Sequence, residues 1–84
     1  MALPKEPVTL SASEIHALSR KLSDMRHDIN NHLSLVVAAI EMIRHKPESA
    51  QRMVATLAEQ PARIGDAVKK FSVEFDQAMR ITRA

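Results

Sequence analysis

From Ile15 to Ile43, apolar side chains return at spacings that alternate three and four, and that rhythm admits one kind of local structure. Ile15, Leu18, Leu22, Met25, Ile29, Val36, Ala39 and Ile43, with His32 standing at one step, take the a and d positions of a heptad repeat. A chain so patterned forms a long helix with a single apolar stripe. The segment opens on Ser11-Ala12-Ser13-Glu14, the spacing of a capping box with Ser11 as N-cap and Glu14 as the third helical residue. It closes on Arg44, His45 and Lys46, cations where the helix dipole favours them. The first helix is expected over about residues 12–45, about 50 Å long at 1.5 Å per residue.

Pro47 disfavours helical geometry at Lys46 and suits an early position of a second helix, so Lys46-Pro47-Glu48 reads as a short turn. Ala50, Val54, Leu57, Pro61, Ile64, Val68, Phe71, Phe75 and Ala78 then form a second stripe with alternating spacing, which predicts a helix over about 48–82. Two helices of similar length joined this tightly fold back antiparallel. Pro61 inside the second helix removes one hydrogen bond and predicts a kink, and a hairpin folding at 46–48 sets it opposite Leu33. The competing expectation is two shorter helices broken at Gln60-Pro61. Residues 1–10, with Pro4 and Pro7, form an extended tail, and residues 11–84 form one domain. Each hairpin leaves an apolar stripe with nothing to cover it. The expected architecture is therefore all-α: an antiparallel two-helix hairpin that dimerises into a four-helix bundle.

Composition supports oligomerisation as the means of stabilisation. An 84-residue chain buries a modest share of its surface, and the absence of cysteine rules out disulfides and thiolate metal sites. The 12 basic residues alternate with 10 acidic ones rather than clustering, so the pI near 9.4 implies a solvated mixed-charge surface, not a nucleic-acid partner. No apolar run is long enough to span a membrane and no signal-peptide core precedes the tail, so a soluble cytoplasmic protein is expected.

The chemistry is concentrated in Arg26-His27-Asp28-Ile29-Asn30-Asn31-His32-Leu33. In the heptad register His27 falls at f, farthest from the stripe, with Asn31 one turn on and on the same face. An imidazole held there meets whatever arrives from solvent. The c and f positions that follow are Asn31, Ser34, Ala38 and Glu41, mostly small, and form a strip on which a partner's helix can dock closely. Leu35, Val37 and Met42 beside it add apolar contact. His32 belongs to the stripe and is expected to be a core residue with one hydrogen bond, while His16 and His45 are expected on the surface. Asp28 and His32, spaced four apart, lack a third metal ligand, so no metal is expected. No Gly-rich nucleotide loop or Walker lysine is present, so no cofactor is expected and the chain has no means of phosphorylating itself from ATP.

His27-Asp28-x-x-Asn31-x-Leu33 resembles the phosphoacceptor motif in the dimerisation domain of sensor histidine kinases, and the resemblance runs over residues 11–82. It implies His27 as the phosphorylated residue, Asp28 as the acid/base group that fixes the ring's tautomer, and Asn31 as the residue that positions water. It further implies a homodimer and a response-regulator receiver domain as partner, with phosphate supplied by another protein, possible donors including a separate kinase. A domain standing alone is similar to the dimeric histidine phosphotransferases of sporulation signalling. One departure is clear: the family usually places a proline five residues after the histidine, and here that position is His32. Two rivals stand beside this reading, a non-catalytic dimeric helical protein and the dimerisation part of a kinase whose ATP-binding domain lies elsewhere.

Overall fold

The computed structural model describes residues 3–80 as two helices and no strand: α1 over Ala12–His45, a 3-10 turn over Pro47–Ser49, and α2 over Ala50–Ala78. The capping box is complete. Glu14 N–H donates to Ser11 Oγ at 3.1 Å, and Ser11 N–H donates back to Glu14 Oε1 at 3.0 Å. These bonds hold the Glu14 carboxyl below its usual pKa range, helped by the positive charge of Arg80 at the same, open end of the hairpin.

The turn is closed by its own backbone and by one serine. Lys46 N–H donates to Met42 O at 2.8 Å, while Lys46 itself (φ −137°, ψ 81°) leaves helical geometry as its following proline requires. Ser49 is buried, and its hydroxyl donates to Lys46 O at 2.7 Å and lies 3.4 Å from Met42 O, covering carbonyls that α1 leaves exposed at its end. α2 starts at Ala50 after the 3-10 turn and ends at Ala78, short of the expected residue 82, which lies outside the described residues. Arg80 beyond it adopts a left-handed φ of 55° and donates its N–H to Gln77 O at 3.2 Å, the geometry of a helix stop.

α1 packs on the stripe read from its sequence. Leu18, Leu22, Met25, Ile29, His32, Val36 and Ile43 are half-buried and Ala39 is buried, while Ile15 stays exposed. In α2 the register differs by one residue at alternate steps. Ala50, Leu57, Ile64, Phe71 and Ala78 face α1 as expected, but between them come Met53, Gln60, Ala67 and Glu74; Val54, Pro61 and Val68 lie outside. Polar pairing explains the shift. In this register Gln60 meets His32 at 2.8 Å and Glu74 meets Lys21 at 3.9 Å across the hairpin. Counting apolar residues alone favoured the valines. Phe75 is half-buried and its ring lies 6.0 Å from that of Phe71. α2 continues through Pro61 as one helix, as expected, and the competing expectation of two helices broken at Gln60-Pro61 is not found.

The hairpin is a single layer. Its extents are 57 × 28 × 13 Å, the last being about one helix diameter, and Ala39 is the one buried apolar residue among those described. Stepping about 100° per residue from the seam sorts the flanking positions onto two faces. On one, Leu33, Val37 and Ile40 of α1 adjoin Val54, Pro61 and Val68 of α2, with the five aliphatic residues 44–60% exposed. The opposite face is mixed: Lys21, Asp24 and Asp28 oppose Arg63, Asp66 and Lys70 and line shallow clefts, and the same stepping places the exposed Leu35 and Met42 of α1 and Val73 of α2 on it. No helix of the described residues is long and apolar enough to cross a membrane.

Two stability outcomes follow. Ser11→Ala removes an N-cap acceptor and should cost ~1 kcal/mol in thermal melts at neutral pH. Because the folded-state pKa of Glu14 is depressed, its contribution is present above the unfolded value and lost as pH falls through the folded one. Glu14→Gln should therefore narrow the difference in melting temperature between neutral and acid pH, and an unchanged difference would reject this account.

Candidate functional site

His27 stands on the outside of α1, exposed, nearly opposite the seam. Its position follows from the packing of Met25 and Ile29, two residues to either side, against α2. Once these turn inward, residue 27 must turn outward. Asn31, one turn on, brings its Nδ2 to 3.4 Å from His27 Nε2. With the amide nitrogen donating, Nε2 carries the ring's lone pair and Nδ1 its hydrogen.

Asp28 is placed differently. One residue along a helix turns the side chain by about 100°, which takes Asp28 onto the mixed face. There it lines one cleft with Lys21, Met25 and Lys70 and another with His32, Arg63 and Asp66. No hydrogen bond joins His27 to Asp28 among the described residues, so the acid/base partner implied for the ring is near it in sequence and does not orient it here. Ser34 and Ala38 are exposed beyond Asn31 on the outer side of α1. Glu41 closes that strip towards the turn, paired with Arg44 at 3.2 Å and His45 at 3.5 Å. The six residues named from sequence thus occupy one exposed side of α1, with Asp28 turned to its edge.

His32 is the histidine that the fold engages. It is half-buried in the seam, its Nδ1 2.8 Å from Gln60 Oε1. Gln60, 3% exposed, lies outside the apolar stripe expected from sequence, which runs through its neighbour Pro61. The signal was available in the polar residues, since moving the stripe by one residue sets Gln60 before His32 and Glu74 before Lys21. Among the described residues no group of three or more His, Cys, Asp or Glu could hold a metal ion. No family model, curated protein or solved structure matches the chain.

Exposed polar residues contribute little to stability, so His27→Gln and Asn31→Ala should each shift unfolding free energy by no more than about 0.5 kcal/mol. Ile29→Asp, two residues from His27 and in the seam, should cost upwards of about 2 kcal/mol. Denaturant unfolding of the three variants checks the contrast, and comparable losses at residues 27 and 29 would overturn the assigned register.

Proposed function

We propose that this chain is a histidine phosphoacceptor module of a two-component phosphorelay, working as a homodimer and exchanging phosphate with the aspartate of a response-regulator receiver domain. The observation that carries the reading is the placing of His27 and Asn31: an exposed imidazole whose Nε2 faces an amide one turn along, on a side of α1 free of packing duties. In the forward direction the Nε2 lone pair attacks the phosphorus of a receiver's aspartyl phosphate. The N–P bond forms, the acyl P–O bond breaks to regenerate the carboxylate, and the ring's Nδ1 proton passes to solvent or to Asp28 after a change of rotamer. Asn31 is the residue assigned to a separate reaction, positioning water against the aspartyl phosphate of a bound receiver, which yields inorganic phosphate and the free carboxylate. Ser34, Ala38 and Glu41 form the docking strip, and the phosphate originates outside this chain, from a receiver or a separate kinase. The proposed setting is the cytoplasm, where receivers reside.

Burial supports the dimer. A single layer 13 Å thick encloses little, and Leu33, Val37, Ile40, Val54 and Val68 leave exposed apolar surface on one face. Two copies joined through this face make a four-helix bundle and leave His27 and Asn31, which lie about 110° and about 150° round α1 from its middle, open to a partner. A non-catalytic helical dimer would use the same face.

Incubation with phosphorylated receiver domains separates these two. The phosphoacceptor reading expects acid-labile, base-stable label on the protein that disappears in His27→Gln, while Asp28→Asn slows transfer. Receiver binding without label, indifferent to His27→Gln, would establish the non-catalytic dimer instead. Sedimentation equilibrium should give twice the 9.4 kDa chain mass at micromolar concentration, and Val37→Glu with Val68→Glu should dissociate it. A folded monomer in the unsubstituted protein would refute the bundle.

A further inference from the structure

The seam between α1 and α2 carries two polar crossbars, and they differ in kind. Lys21–Glu74, at 3.9 Å, is partly exposed at both ends and is weakened by solvent. His32–Gln60 is sheltered and directional. Gln60 Nε2 lies 2.8 Å from Thr56 O, a carbonyl that only accepts, so the amide nitrogen faces Thr56 and Oε1 faces His32. Oε1 also only accepts, so the hydrogen of that 2.8 Å contact must sit on His32 Nδ1. The donors run one way, from His32 across the seam to Gln60 and back along α2 to Thr56.

This crossbar abuts the weakest stretch of the hairpin. Pro61 has no N–H, so the carbonyl of Leu57 lacks its helical donor. Gly65, one turn further, is exposed, and a Cβ built there would meet nothing within 4 Å, so close packing does not account for it. An unconstrained helical glycine loosens the backbone. α1 contains neither glycine nor proline over its 34 residues. One helix is a strut, and the other has two weak points one turn apart with a part-buried polar tie beside them.

The geometry points to a hinge in α2 between Leu57 and Gly65, latched by the His32–Gln60 bond, about which residues 66–78 swing against α1. The cleft that this motion opens and closes is the one lined by Asp28, His32, Arg63, Asp66 and Lys70, of about 230 Å³. His32 and Gln60 act here as positioning residues. The latch does not depend on His27 accepting phosphate.

Amide hydrogen exchange on the full chain tests the latch. His32→Leu and Gln60→Met keep the seam apolar and of similar volume while removing the tie. Exchange at amides 62–66 should accelerate about tenfold in either variant, with amides 68–75 and those of α1 changing much less. The double variant should be no faster than the singles. In a Pro61→Ala background, where the ladder is restored, His32→Leu should lose its effect. Unchanged exchange at 62–66, or acceleration spread evenly along α2, would overturn the proposal. Should the variants fail to fold, nitrogen-15 spectra of the unsubstituted protein decide: a neutral His32 ring must show the Nδ1–H tautomer with that proton protected from solvent, and an Nε2–H ring would sink the latch.

Discussion

Burial along one narrow seam is the constraint on which the rest of this structure depends. Two helices in one layer shelter only the residues between them, and here that shelter leaves Ala39, Gln60 and Ser49 as the buried side chains among the described residues. Hydrophobic stabilisation scales with area removed from water, so a layer with two open faces is far from the enclosure a lone domain needs. The turn multiplies what the seam provides. Pro47 ends α1 at a fixed place, Ser49 covers the carbonyls left there, and both helices are thereby aligned over their length without a long loop to close.

Much of this was legible in the residues, and the exceptions are instructive. The ends of α1 follow from the Ser11–Glu14 box and from Pro47, local chemistry whose partners lie within four residues. The seam of α1 is equally local, because only one set of positions there spaces its apolar residues by three and four. α2 offered two such sets offset by one residue at alternate steps. Apolar content favoured Val54, Pro61 and Val68, whereas the partner helix selected Met53, Gln60 and Ala67. The deciding term was a pairing across 28 residues of sequence, His32 with Gln60, which no inspection of α2 in isolation weighs. A buried polar pair fixes register in this manner because misalignment by one residue leaves both partners desolvated and unbonded.

The candidate site divides along the same line. That His27 is outward and that Asn31 lies one turn away are consequences of helical period, and both were accessible from spacing. Asp28 shares a cleft with Arg63, Asp66 and Lys70 of α2, and which groups of the other helix stand beside it is set by the pairing of the two helices, which spacing within α1 does not give. Neighbours on a helix diverge by about 100°, so a residue beside a histidine in the sequence reaches it less readily than one four positions on.

The division of the layer into faces bears on how such a chain can change over generations. Seam, apolar face, mixed face and the His27 side draw on different heptad positions, and few residues serve two of them. On the proposed function, substitutions at Ser34 or Ala38 would alter docking of the proposed partner without a cost in folding, and substitutions at Val37 or Val68 would alter the proposed self-association without disturbing the imidazole. His32 breaks that independence: it shares the seam with the core and the cleft with Asp28, so of all the polar residues near His27 it has the least freedom to vary.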